Sequence, residues 1–280
     1  MIQFCQKEED SLSNPQFFLL HIRSFMHWGY VCRVVPFSKS RMVLKAPPPT
    51  TLIGALSYPM ARFLGWPEVI EAKTLTSSAD KLRSFVGSAH ARLNFAFMRC
   101  FDLNRVYWYH AARKEAKTDA IALGKTYVSP LKDRFIPELS IIYVINGEIA
   151  EERLGEDWKK VLLLSSWGIT RVGQKESSIA VFDVSISEAR IVRKGEIETA
   201  YYFPAKASAN IMEGSFMFED FVDLSFPISD YSTAPREPFI IPYSTVEFRP
   251  SSVRLKLSDD GVAVSSDHLT VVTLKRWLKI

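Results

Sequence analysis

Apolar positions along the 280-residue chain change period several times, and each change predicts an element. Residues 17–35 are dense in aromatic and β-branched side chains, which predicts a long strand bent around Gly29. Leu52, Ile53, Leu56, Met60 and Leu64 then recur at helical spacing, so a helix is expected over 49–64. A second, more polar helix is expected over 68–85. Residues 89–101 and 105–110 read as two strands joined by the turn residues Asp102, Leu103 and Asn104. The stretch 113–135 has weak periodicity and reads as a long, mobile excursion. A short buried strand at 141–145 is closed by Asn146-Gly147, a helix follows at 157–166, and 179–186 alternates as a strand. After Arg190 the pattern turns to short strands with many turn signals, where Pro235, Pro238, Pro242 and Pro250 break any helix.

Stripped of insertions, the order is β-α-β-β-α-β, the split unit of ferredoxin-like domains that also underlies RNA-recognition sheets. The expected class is therefore α+β: a ferredoxin-like (RRM-like) domain over 1–190 with a basic insertion at about 113–135, then a β-rich region over 191–280. With 47% apolar and 12% aromatic residues the chain is not disordered. Its longest apolar runs, such as 161–164, are too short to cross a bilayer, and residues 1–16 are polar and acidic rather than a signal peptide. Cys5, Cys32 and Cys100 are odd in number and lack CxxC spacing, which argues against a disulfide framework and a structural zinc site. No membrane contact and no cofactor are expected, and the location is expected to be cytoplasmic.

The net charge of +4 is modest, but it is polarised. Residues 33–45 carry Arg33, Lys39, Arg41 and Lys45 and no acid. Residues 105–134 carry seven basic against three acidic residues, a further +4, so the rest of the chain is −4. Such a map suits a chain with one face on a polyanion, although any single basic cluster is more commonly a solvated face. The first cluster runs straight into Pro47-Pro48-Pro49 and the 49–64 helix. Thr50 and Thr51 are placed to accept from the first free amides, and a helix N-terminus favours anions. An ordinary loop leading into a core helix is the competing reading. A second loop runs from Gly168 to Ser178 with Arg171, Gly173 and Lys175. Its glycines are spaced as in a P-loop, but Gln174 occupies the lysine position and the loop leaves a helix to enter a strand, the reverse of a P-loop. Its glycines are expected to bring backbone close to a ligand, with Arg171 and Lys175 as flanking cations.

The N-terminal strand, the PPPTTLIGAL helix start, the helix before the GxxxxGxxES loop and the strand after it resemble the CRISPR-associated RAMP proteins. Within these they resemble the fifth Cas family, the Cascade subunit that holds the 5′ handle of the guide crRNA, and most closely its archaeal type I-A branch. The likeness covers roughly residues 17–187. It implies a ferredoxin-like core with an inserted β-hairpin thumb that caps a filament of backbone subunits on the crRNA. It also implies contact with the large subunit, and it admits target DNA near the protospacer-adjacent motif as a further partner. Candidate RNA contacts are Lys39, Arg41 and Lys45; Arg113, Lys125, Lys132 and Arg134; and Gly168, Arg171, Gly173 and Lys175.

One branch of that family cleaves precursor crRNA without metal, using Tyr, Lys and His. Such chemistry needs a base, an acid and a cation at one phosphate. This chain has His21, His27, Tyr30 and Lys39 near the corresponding end. An unbroken strand would put both histidines on one face, yet roughly 20 Å apart among apolar neighbours. Binding without catalysis is expected, with no catalytic or metal-ligating residue. A metal-independent endoribonuclease is the alternative, and a plain protein-interaction module a third.

Overall fold

The structure, a computed structural model, describes residues 16–34, 42–71, 76–226 and 234–280. Strand β1 (Phe17–Met26) buries Phe18, Leu20, Ile22 and Met26 on one face and Phe17 and Leu19 on the other. It does not continue as one bent strand. The chain turns at residues 27–28, and β2 (Gly29–Tyr30) leaves for a different sheet. Helix α1 (Pro49–Leu64) follows as expected, seating Leu52, Ile53, Leu56 and Met60 in the core. The threonines do not cap it. Pro48 is the N-cap, and its carbonyl accepts from the Thr51 and Leu52 amides at 2.9 and 3.1 Å. Tyr202 covers this end, its hydroxyl donating to the Pro47 carbonyl at 3.0 Å.

Most of the expected second helix is not helical. Strands β3 (Val69–Glu71) and β4 (Thr76–Ser77) form a small pair, and only α2 (Ser78–Leu82) is helix. The sequence between carries too few apolar positions to hold a longer helix on the core. Strand β5 (Val86–Asn94) then passes into β6 (Ala96–His110), which runs straight through 102–104. The hairpin turn lies instead at 111–114, with Lys114 left-handed, and the supposed mobile excursion is its returning strand β7 (Glu115–Ser129). Asn and Asp mark turns, but a cross-strand partner for every residue from Ala96 to His110 overrides that local preference. Strand β8 (Glu138–Asn146) is longer than expected. Asn146, read as a strand-closing turn, accepts from the Ile149 amide at 3.1 Å and starts α3 (Gly147–Leu154). Helix α4 (Trp158–Trp167) and strand β9 (Ile179–Val192) complete this half.

The second half is built from β10 (Glu196–Thr199), β11 (Phe203–Pro204), β12 (Ser208–Glu213), β13 (Phe216–Val222), β14 (Arg236–Ser244), β15 (Arg249–Pro250), β16 (Val253–Leu257), β17 (Gly261–Ser265), β18 (Thr270–Leu274) and α5 (Lys275–Leu278). The main sheet is antiparallel with order β18-β17-β9-β1-β8-β5. Elements from both sides of residue 190 therefore share one sheet and one core. Pro238 and Pro242, which cannot donate, flank the two-residue contact of β14 with β11. Arg276 of α5 bridges Asp223 at 2.7 Å and Glu237 at 3.1 Å, both nearly buried, and Lys206 adds a second cation to Glu237 at 3.0 Å. Removing Arg276 would take one donor from two buried carboxylates, of which Glu237 keeps Lys206 and Asp223 keeps Ser225 and Trp277, a loss of about 1–3 kcal/mol. No helix is long and apolar enough to cross a membrane. The fold is thus α+β and mostly strand.

His90 on β5 is fully buried between two fixed partners, the Ser88 hydroxyl at 2.8 Å and the Tyr202 carbonyl at 2.9 Å. The carbonyl can only accept, so Nδ1 carries the proton and Nε2 accepts from Ser88. Burial pushes the imidazole down from 6.5 to about 4. The unfolded chain therefore binds this proton first, and stability falls as pH drops from about 6.5 to about 4, by at most on the order of 3 kcal/mol. Denaturant titrations over that window should show this slope, and His90→Gln should flatten it.

Candidate nucleic-acid interface

Chain direction at Gly29 places the hairpin. Gly29 pairs with Tyr127 and Tyr30 with Thr126, so two residues of the N-terminal segment become the third strand beside β7. The base of the hairpin is fixed again by Thr126, whose hydroxyl donates to the Leu44 carbonyl at 3.1 Å, and by Arg99, which donates to the Val43 carbonyl at 3.4 Å. The two strands are 15 residues long, and the part beyond this base projects for about 36 Å.

One face of the hairpin carries two groups of rings and cations, one at its base and one near its tip, eight residues apart along each strand. Met98 lies opposite Tyr127, Cys100 opposite Lys125 and Trp108 opposite Lys117, and opposed pairs point the same way. Lys125 sits 5.5 Å over the Trp28 ring, Trp28 lies 5.7 Å from Tyr127, and Lys117 sits 5.8 Å over Trp108. Met98 is 67% exposed, Tyr127 40% and Trp108 42%, and Tyr107 and Tyr109 are exposed on the other face. Arg113 is exposed at the tip.

Trp28 joins the group at the base to the Gly-rich loop, its indole donating to the Glu176 carbonyl at 2.8 Å. The loop is stapled to the segment after β2. The Gln174 amide donates to the Val31 carbonyl at 3.1 Å, and the Val31 amide to the Ser177 hydroxyl at 2.9 Å. Between this loop, α1, residues 31–34 and β13 lies a cleft of about 710 Å³ that contains Arg33, Arg171 and Arg236 as well as Glu68 and Asp220. The Arg171 guanidinium stands 5.3 Å over the Tyr58 ring, and Arg236 donates to the Val34 and Asp220 carbonyls.

The residues singled out from sequence fall into distinct places. Lys125 and Arg113 are on the hairpin, Arg171 is in the cleft wall and Lys175 is exposed on the loop. Lys132 is exposed just beyond the hairpin, while Arg134 is bound to Glu138 at 3.2 Å, alongside Arg23. Lys45 is engaged within the fold: its amide donates to Glu219 at 2.7 Å and its ammonium to the Phe218 carbonyl at 2.6 Å. Lys39 and Arg41 lie outside the described residues. Sequence reasoning missed Trp28, Tyr127, Trp108, Lys117 and Arg236. The aromatic run at 107–109 followed by basic residues up to 117 was the signal for two of them, whereas Arg236 reaches the cleft only through the tertiary fold.

Of the residues considered for cleavage, the three described ones, His21, His27 and Tyr30, are held apart in different settings. His21 is half-buried on β1, held by Ser140 at 2.8 Å, and burial pulls its basicity down. His27 lies off the strand, exposed in the bend and edge-on to Phe25 at 4.8 Å, so the two histidines do not share an unbroken strand. Tyr30 is fully buried, its hydroxyl donating to the Lys45 carbonyl, and burial raises its pKa far out of working range. Among the described residues, no three metal-ligating side chains cluster.

The loop glycines face protein. A Cβ on Gly168 would meet Pro59 of α1 at 2.8 Å, and one on Gly173, at φ +114°, would meet the Val31 carbonyl at 2.8 Å and the Ser177 hydroxyl at 3.0 Å. Their bare faces allow the loop to approach its own scaffold, and Gly173 also lines the cleft. Gly173→Val should lower stability by at least about 1–3 kcal/mol, read as a shifted denaturation midpoint. An unshifted midpoint would contradict this packing role.

No family model matches the chain. Over 184 residues it is 30% identical to CRISPR-associated protein Cas5 3 of Saccharolobus solfataricus, covering 64% of this chain and 68% of that protein. Over an alignment of the same length and coverage it is 31% identical to the CRISPR system aCascade subunit Cas5 1 of that organism. A third protein there, CRISPR-associated protein Cas5 2, is 25% identical over 253 residues, 83% of this chain and 85% of its own. Among solved structures, the crystal structure of a CRISPR protein from Archaeoglobus fulgidus superposes with a TM-score of 0.61 over 92% of this chain and 99% of its own. At 21% identity that likeness concerns the fold alone. By the extent of its identity to these relatives, the chain belongs to the Cas5 family of CRISPR-associated proteins.

Proposed function

We propose that this chain is a non-catalytic, crRNA-binding subunit of a type I Cascade interference complex, of the I-A branch, that holds the crRNA 5′ handle and caps the backbone filament. The observation that carries the reading is the two ring–cation groups on one face of the hairpin, Trp28, Tyr127 and Lys125 at its base beside the Gly-rich loop and Trp108 and Lys117 near its tip. Single-stranded nucleic acid is held by rings that stack on bases and cations that track phosphates, and each group offers both. The strand order β9-β1-β8-β5, fourth-first-third-second among the four core strands, supports a ferredoxin-like (RRM-like) core. The hairpin is then its thumb. A relative that bears the name of an aCascade subunit supports assembly into such a complex; a backbone subunit, a large subunit and target DNA near the protospacer-adjacent motif are the partners we propose there.

Two of the candidates weigh against catalysis. A buried Tyr30 cannot take or give a proton at a phosphate, and His21 is occupied by Ser140. The direct test is RNA binding across a salt series, with EDTA present and the RNA recovered afterwards. Replacing Arg113, Lys117 and Lys125 together by Ala should reduce the slope of log K against log salt by roughly 2, at about 0.7 for each phosphate no longer neutralised. The RNA should be recovered intact. An unchanged slope would remove the hairpin from the interface. Products ending in a 2′,3′-cyclic phosphate would replace this reading by a metal-independent endoribonuclease.

A further inference from the structure

We infer that the cleft beside α1 holds one unpaired nucleobase of the bound RNA, laid against the helix at Gly54; this rests on the RNA-binding reading above. Gly54 is the pointer. It sits in the interior of a 16-residue helix, where glycine costs about 1 kcal/mol relative to alanine. Close packing does not account for it, because nothing lies within 4 Å of the place a Cβ would occupy. Nor does its backbone conformation, which is helical. What the missing side chain leaves open is the cleft itself, which Gly54 lines together with Tyr58 one turn further on. A flat group can therefore come down onto the helix backbone there and nowhere else along this face of α1.

Size, shape and charge suit a base. The volume of about 710 Å³ lies within the range of small-ligand sites, far above that of a bound water. The Arg171 guanidinium over Tyr58 presents a planar surface of the kind on which splayed bases stack. A cleft for phosphate would be lined by cations alone, whereas Glu68 and Asp220 share this one with Arg33, Arg171 and Arg236. Carboxylates repel phosphate but accept from exocyclic amino groups, and arginines donate to ring nitrogens and carbonyls. A base edge offers both. The location agrees, since the Gly-rich loop walls the cleft on one side and receives Trp28 of the group at the hairpin base on the other. A strand stacked on that group thus reaches the cleft by crossing this loop.

The test is an abasic scan. Full-length protein is titrated by fluorescence anisotropy with a single-stranded oligoribonucleotide carrying the repeat-derived 5′ end, and with versions lacking one base at each position in turn. The wild-type chain should lose between roughly fivefold and a hundredfold in affinity at one position, the range for a single stacked base. Gly54→Leu fills the cleft with a better helix former, so it should melt no lower than wild type. It should bind the intact RNA as the wild type binds that abasic strand, and the scan should become flat at that position. Tyr58→Ala, at an exposed ring, is the independent variant and should weaken the intact RNA while leaving the abasic strand unaffected. A wild-type scan without a sensitive position, or a sensitive position that survives in both variants, overturns the cleft assignment while leaving the hairpin groups in place. Failure of the wild-type chain to bind any of these RNAs overturns the RNA reading itself.

Discussion

The close approach of Gly29 to Thr126 is the contact on which the remaining architecture depends. At φ +146° and with any Cβ only 1.9 Å from the Thr126 carbonyl oxygen, this position excludes every side chain. Because the backbone can pass there, the chain leaves the main sheet after Met26 and becomes part of the hairpin sheet at Gly29. The consequence is mechanical. A projecting two-stranded ribbon has marginal stability alone, and here its base is pinned by β2, by Thr126 on Leu44 and by Arg99 on Val43. Tyr30, next in sequence, then drops into the core and fastens the segment before α1 through the Lys45 carbonyl.

From that junction the functional surfaces fan out in order. Trp28 stands immediately before the glycine and touches the hairpin on one side and the Gly-rich loop on the other. Val31, two residues after the glycine, exchanges hydrogen bonds with Gln174 and Ser177 of the same loop. The loop in turn packs on α1 through Gly168 and Pro59 and places Arg171 over Tyr58. Hairpin base, loop and cleft are thus neighbours because four consecutive residues, 28–31, contact all three supports. Exposed aromatic rings of this number are a liability for a free surface, and their pairing with lysines is what a stacking platform for a polyanion requires.

How much of this was legible in the sequence follows from the range of the forces involved. Helix α1 was readable because its apolar stripe and the proline run are local, and the α+β order was readable because periods of 2 and 3.6 differ over short windows. The hairpin was misplaced because Asp102 and Asn104 are locally turn-like, and only the ladder to β7 holds them in a strand. The two glycines of the loop were seen, but not their close approach to Pro59 and Val31, since spacing reveals the freedom of a glycine and not what lies opposite. Lys45 looked like a free cation until Glu219 and Phe218, more than 170 residues away, were brought beside it. The cleft needed the whole fold, because Arg236 arrives from β14 and Gly54 carries no meaning until the space beside it is seen.

Amide hydrogen exchange on Gly29→Ala, combined with RNA affinity on the same sample, tests most directly whether this junction positions the interface. The Val128 amide, which donates to the Trp28 carbonyl at 3.0 Å, should lose its protection together with its neighbours in β7, while the β1–β8 ladder keeps its own. RNA affinity should fall in parallel, although no ring or cation of the two groups has been changed. Undiminished protection in β7, or protection lost there with RNA affinity intact, would contradict the role of Gly29 as the point that holds the hairpin in place for binding.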